Sequence, residues 1–218
     1  MTLTLPDGRD LRPGKILCIG RNYAAHAAEM GSEVPSQPLV FLKPTTALIP
    51  DGGEIVLPPQ SQDVHHELEL VAVIGEGGKN IAEDGALAHV AAYALGLDLT
   101  ARDVQAEAKK KGHPWSVAKG FDTFAPLGPL VNAASLGDPQ ALDITLTIDG
   151  ETRQHGRTDR MLFPVARLVS YLSEVFTLEP GDLVYTGTPE GVGPVAPGQT
   201  LRCTGTGLAD LTVTVRDA

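Results

Sequence analysis

His65-His66-Glu67-Leu68-Glu69-Leu70-Val71-Ala72-Val73-Ile74-Gly75 is the stretch on which the reading of this 218-residue chain turns. From Leu68 to Gly75 it is almost wholly apolar, which predicts a buried strand. Alternate residues of a strand share a face, roughly 6–7 Å apart. Glu67 and Glu69 are thus expected to converge on one point while Leu68 and Leu70 enter the core. Two carboxylates aimed at one spot in an apolar setting repel each other, and a divalent cation is the simplest relief. Asp98, in Ala94-Leu95-Gly96-Leu97-Asp98-Leu99-Thr100, is the candidate third carboxylate on a neighbouring strand. An all-oxygen set favours Mg2+, Mn2+ or Ca2+ over Zn2+. The competing reading makes Glu67 and Glu69 the solvated face of an edge strand. His65 shares the carboxylate face but has no second histidine at ligand spacing, so a packing or supporting role is expected. His66 is expected to point the other way.

Composition narrows the function classes. The chain is 42% hydrophobic and 20% charged, with 17 Lys plus Arg against 27 Asp plus Glu and a net charge of -10. That is an ordinary globular composition with no basic stripe for nucleic acid. An anionic small molecule can still be bound through a local metal or a few placed cations. Cys18 and Cys203 are isolated in apolar runs, which suits buried free thiols in a reducing compartment. No run approaches the roughly 20 apolar residues of a membrane helix, and the N-terminus lacks signal-peptide character. A cytoplasmic location is the resulting expectation.

Short strands punctuated by Pro and Gly dominate the pattern. Residues 1–12 read as a hairpin turning at Pro6-Asp7-Gly8. Strands are predicted over Lys15–Ile19, Leu39–Leu42, Val90–Leu97, Leu142–Ile148, Val184–Thr186, Thr200–Cys203 and Leu211–Val215. Helices are predicted over Tyr23–Met30, Asp84–His89 with Asp84 as N-cap, Ala101–Lys111 and Pro164–Phe176. This mixture implies a mixed α/β, β-rich chain, one domain over residues 1–218, without the βαβ repeat or glycine fingerprint of a dinucleotide-binding fold.

Three further clusters carry chemistry. His26 and Glu29 are three apart in a predicted helix and so share a face; a carboxylate–imidazole pair is suited to general-base work on water. The alternative is a solvent-exposed helix. Lys119, in Ala118-Lys119-Gly120-Phe121-Asp122, is either buried against an anionic partner or a surface lysine with a packed stem. Thr186-Gly187-Thr188-Pro189-Glu190-Gly191-Val192-Gly193 either presents backbone N–H groups to an anion or is a plain tight turn.

Taken together and in this order, these clusters resemble the fumarylacetoacetate hydrolase family. The resemblance runs from Lys15 to Val215 through Gly-Arg-Asn-Tyr-Ala-Ala-His-Ala-Ala-Glu-Met, Phe-Leu-Lys-Pro-Thr-Thr-Ala, His-His-Glu-Leu-Glu-Leu, Leu-Asp-Leu-Thr-Ala-Arg-Asp-Val-Gln, Pro-Trp-Ser-Val-Ala-Lys-Gly-Phe-Asp and Thr-Gly-Thr-Pro-Glu-Gly-Val-Gly-Pro-Val. It is nearest to the single-domain acylpyruvases that also decarboxylate oxaloacetate. The resemblance implies a twisted, rolled mixed sheet with short helices and a lid, assembled as a homodimer. It implies Mg2+ or Mn2+ on Glu67, Glu69 and Asp98, and a lid carrying His26 and Glu29. It places Arg21, Arg102, Gln105, Lys119 and Thr188 against a 2-oxo acid substrate.

The expected chemistry is acylpyruvate C–C hydrolysis, oxaloacetate decarboxylation, or both, through a metal-stabilised enolate. Hydrolysis would need the His26–Glu29 pair to activate water, whereas decarboxylation needs no general base. An isomerase or tautomerase of unsaturated 2-hydroxy or 2-oxo diacids is the competing activity. A protein that holds a metal–oxoacid complex without turnover is a further alternative.

Overall fold

The computed structural model describes residues 1–29, 31 and 33–218. Its centre is a mixed eight-stranded sheet in the order Leu39–Lys43, Ile16–Gly20, Leu183–Tyr185, Leu68–Ile74, Val90–Leu97, Ala125–Leu127, Leu48–Pro50, with Val131–Asn132 also paired to Val90–Leu97. Leu183–Tyr185 runs parallel to Ile16–Gly20, and Ala125–Leu127 runs parallel to Leu48–Pro50. A second, five-stranded sheet follows the order Glu151–Arg157, Asp143–Ile148, Thr200–Gly205, Leu211–Asp217, Glu54–Leu57. A small sheet joins Thr100–Ala101, Val64–His66 and Gly193–Pro194. The fold is mixed α/β and strand-rich, a curled sheet with a few short helices.

The apolar run that opened the reading behaves as its composition dictates. Every residue from Leu68 to Ile74 is buried, because both faces of this strand are covered. Leu70, Ala72 and Ile74 pack with Val165, Leu168, Val169 and Leu172 of the helix Val165–Val175. Leu68 belongs to the core under the second sheet, with Leu95, Leu97, Ile144 and Leu146. Val71 and Val73 face the opposite side, where Ile16, Cys18, Tyr185 and the N-terminal residues Leu3 and Leu5 complete a third core. Both cysteines are free and buried.

Most predicted elements recur within a residue or two. The hairpin pairs Leu3–Thr4 with Asp10–Leu11. The helices Arg102–Lys111 and Val165–Val175 and the strands Val90–Leu97 and Asp143–Ile148 lie where expected. The first helix spans Ala24–Glu29; Met30, to which it was expected to run, lies outside the described residues. Two expectations are corrected. Glu83–His89 is a 3-10 helix whose N-cap is Ala82, without a side-chain capping bond, so Asp84 lies inside the first turn and caps nothing. Glu67 is not an interior strand residue: it occupies the break between Val64–His66 and Leu68–Ile74. No helix among the described residues is long and apolar enough to cross a membrane.

Candidate metal centre and active site

Strand pairing brings the acidic residues together. Leu68 is registered opposite Leu97 and Glu69 opposite Gly96, so Asp98 emerges from the neighbouring strand beside Glu67. The Asp98 N–H donates to the Glu67 carbonyl at 2.9 Å, which fixes the two chain ends side by side. Glu67, Glu69 and Asp98 are 5%, 1% and 1% exposed, and each offers a ligand oxygen within 4.8 Å of the others. The break at Glu67 therefore serves the convergence that simple alternation along one strand was expected to give.

Buried carboxylates need partners. Glu67 Oε1 accepts from Arg102 Nη2 at 2.5 Å and from the Thr100 hydroxyl at 3.1 Å. Lys119 Nζ bridges Glu67 Oε2 at 3.0 Å and Asp98 Oδ2 at 2.6 Å. Glu69 Oε2 accepts from the Gly187 N–H at 2.7 Å. Burial works to raise the Glu67 carboxyl, but Lys119 and Arg102 outweigh it and hold Glu67 below the usual range. Glu69 lacks a cation of its own: burial, then Asp98 and Glu67, push it well above the usual range. Burial disfavours the Lys119 charge, yet Asp98 and Glu67 raise it above an ordinary lysine.

Lys43 was missed by the sequence reading. Its Nζ is buried, lies 2.7 Å from Asp98 Oδ1 and donates to the carbonyls of Leu99, Lys119 and Phe124 at 3.0, 2.5 and 2.9 Å. It ties the floor to the segment that carries Lys119. The available signal was a lysine in the otherwise apolar Phe41-Leu42-Lys43-Pro44. Lys43 also changes the charge balance, since three cations, Lys43, Lys119 and Arg102, now face three carboxylates.

Asp98 Oδ1 is buried and makes no hydrogen bond among the described residues, with Lys43 Nζ 2.7 Å away as an ion-pair partner. An under-satisfied carboxylate oxygen, an uncompensated Glu69 and an all-oxygen donor set fit a hard divalent cation.

Above this floor lies a narrow, solvent-open cavity of about 30 Å³. Seven of the residues singled out from sequence line it or reach it: Arg21, His26, Glu67, Arg102, Gln105, Lys119 and Thr188. Lys109, Phe41 and Trp115 line it as well and were not foreseen. Gln105 Oε1 accepts from Arg102 Nη1 at 3.1 Å, which leaves its Nε2 as a donor. Burial, then Arg21 and Arg102, push Lys109 below an ordinary lysine, a sign of concentrated positive charge around the mouth. Arg21 holds a φ of 58°, a left-handed conformation that is uncommon for a bulky residue.

Glu69, Asp98 and Glu29 are not among the residues that line the cavity. His26 is 5% exposed, and its Nδ1 lies 3.3 Å from Glu29 Oε2, the long end of hydrogen-bond range. Glu29 accepts in turn from the Gly191 N–H at 3.1 and 3.2 Å. Asn22 anchors the helix entrance, its amide bonded to Phe163 N and O and to Thr186 O. The Thr186–Gly193 loop thus directs two N–H groups at the protein's own carboxylates. Gly187 and Gly191 have φ of +97° and +90°, and added Cβ atoms would meet Asn22 Cβ at 2.6 Å and the Arg153 carbonyl at 2.5 Å. Only glycine fits either position.

His65 bonds Asp63 at 2.9 Å and stands apart from the three carboxylates. His66 points away from them, with Nδ1 2.9 Å from Gln154 Oε1. His66 lies as the sequence reading expected, whereas His65, expected on the carboxylate face, is turned to Asp63 because the strand breaks at Glu67.

A protein named mitochondrial oxaloacetate tautomerase from Arabidopsis thaliana is 49% identical over 197 residues, 90% of this chain and 88% of its own. The mitochondrial oxaloacetate decarboxylase of Dictyostelium discoideum is 47% identical over 195 residues, 89% of each chain. The crystal structure of fumarylpyruvate hydrolase from Pseudomonas aeruginosa, in complex with Mn2+ and pyruvate, superposes with a TM-score of 0.95 at 43% identity, covering 100% of this chain and 96% of that one. The family model described as fumarylacetoacetate (FAA) hydrolase C-terminal matches residues 15–216, and the chain belongs to the fumarylacetoacetate hydrolase family.

Proposed function

We propose that this protein is a divalent-metal-dependent enzyme of 2-oxo acids, working through an enolate, with acylpyruvate C–C hydrolysis and oxaloacetate decarboxylation as its reactions. The observation that carries this reading is the cluster of three buried carboxylates at the floor of a cavity rimmed by cations and hydrogen-bond donors. Its relatives include proteins named for oxaloacetate and a hydrolase solved with Mn2+ and pyruvate. Glu67, Glu69 and Asp98 would hold Mg2+ or Mn2+. The bound cation supplies Lewis-acid stabilisation of negative charge developing on a keto oxygen.

The protein's own groups do the rest. With Lys43, Lys119 and Arg102 balancing the three carboxylates, a divalent ion leaves the floor at about +2, the complement of a dianionic 2-oxo acid. Arg21, Arg102, Gln105 and Thr188 would fix the substrate's oxygens. His26, oriented by Glu29, presents Nε2 as the acceptor of a proton from water; the hydroxide attacks the distal carbonyl of an acylpyruvate. Oxaloacetate loses CO2 without that step, so only hydrolysis depends on the lid helix Ala24–Glu29.

A second reading is keto–enol tautomerisation of oxaloacetate, favoured by the name of the Arabidopsis relative. It passes through the same enolate and would use His26 on a C–H proton. One catalytic domain over residues 1–218, homodimeric assembly and a cytoplasmic location complete the proposal, supported by the family match and by the two free buried thiols. The test is a paired assay of EDTA-stripped protein on acetylpyruvate and oxaloacetate, with enol and keto forms of the latter followed separately, with and without Mg2+ or Mn2+. Metal-restored consumption of either substrate is expected. Interconversion of the oxaloacetate forms alone establishes the tautomerase, and metal binding without any turnover defeats both readings.

A further inference from the structure

A buried side-chain amide stands directly behind Thr188. Gln154, 1% exposed, lies in the strand Glu151–Arg157 of the second sheet. Its Oε1 accepts from the Leu68 N–H at 2.9 Å, and one Nε2 hydrogen goes to the Pro189 carbonyl at 3.0 Å, the Glu190 carbonyl lying at a marginal 3.4 Å. A backbone N–H only donates and a carbonyl only accepts, so the amide's orientation is determined from both ends. The same Nε2 lies 2.9 Å from Thr188 Oγ1. A hydroxyl that receives a hydrogen from an amide must send its own proton elsewhere, and among the described residues no acceptor takes it. Thr188 lines the cavity.

We infer that Gln154 is a positioning residue that makes the Thr188 hydroxyl an obligate donor into the cavity, so that this position selects substrates presenting an acceptor oxygen there, a carboxylate or a keto group. Gln154 touches no substrate and acts through Thr188. A substrate group that could only donate, or an aliphatic group, would leave the hydroxyl proton unpartnered in a buried setting. Because Leu68 directly follows Glu67, the amide also ties the height of the Thr188 loop to the carboxylate floor. The inference rests on the reading of the cavity as a 2-oxo acid site.

The test is a double-mutant cycle read by calorimetric titration of oxalate, a planar enolate mimic, into Mn2+-loaded protein. KM and kcat for oxaloacetate are followed in parallel. Gln154→Glu keeps the acceptor for Leu68 but replaces the donor to Thr188. It is expected to weaken oxalate by about 10-fold or more and to raise KM more than it lowers kcat. In a Thr188→Val background the same substitution should change affinity by less than about 2-fold, because the two residues act as a unit. Equal losses in both backgrounds, or no loss in either, would overturn the inference. Should the glutamate variant fail to fold, Gln154→Met gives the same comparison without the added charge. Wild-type protein that takes up Mn2+ but no oxalate would instead bring down the 2-oxo acid reading on which this one stands.

Discussion

The floor of the site and the short helix that carries His26 solve different problems. The floor is made of Glu67, Glu69, Asp98, Lys43 and Lys119, all 5% exposed or less and held by paired strands and by hydrogen bonds spanning 21 to 118 residues of sequence. The helix Ala24–Glu29, proposed as a lid, is six residues long, too short to be stable by itself. It is held by Asn22 at its entrance and by Glu29 on Gly191 at its exit. A buried, charge-balanced floor is preorganised and loses little on binding, which suits charge stabilisation shared by every reaction at the site. A short helix tied by a few bonds suits a group that only some reactions need.

The comparison is broken most severely at the floor. Glu69→Gln, which removes one ligand and the group with no cation of its own, is expected to lower turnover of both oxaloacetate and acetylpyruvate by about 10³-fold or more. Steady-state assays together with Mn2+ calorimetry check it, and retained metal with retained activity would contradict the ligand assignment. Lys43→Met leaves Asp98 Oδ1 and three carbonyls without their buried cation. A loss of about 3–5 kcal/mol in urea unfolding is expected.

The smallest effect belongs to His66. Burial pulls its pKa from 6.5 down to about 4. As pH falls from 7 toward 4, the unfolded chain takes up a proton that the folded protein refuses, so stability is lost through that window. The difference amounts to about 3 kcal/mol. Urea unfolding of metal-free protein between pH 7 and 4.5 should show a steeper loss for wild type than for His66→Asn, which keeps a donor for Gln154.

Glu67, Glu69 and Asp98 were legible because acidic residues bounding apolar strand runs are a local signal, although Glu67 converges through a strand break and not through alternation, and Lys119 because it interrupts an apolar, glycine-bearing run. Lys43 and Gln154 were not, since their partners lie 55 and 86 residues away by number, at Asp98 and Leu68. No pattern within one segment announces such a pairing. Very short strands such as Thr100–Ala101 and Gly193–Pro194 escaped for a related reason: they exist only as partners of Val64–His66. Asp84 misled because the helix starts one residue earlier, at Glu83 after an extended Ala82, which puts Asp84 inside the first turn.

The most direct test of the division between floor and lid is the pair of rates of His26→Ala on acetylpyruvate and oxaloacetate, each relative to wild type under saturating Mn2+. A fall of about 10²–10⁴-fold in hydrolysis, with decarboxylation largely retained, is the predicted result. Equal losses on the two substrates would contradict it and would make the lid part of the machinery that every reaction shares.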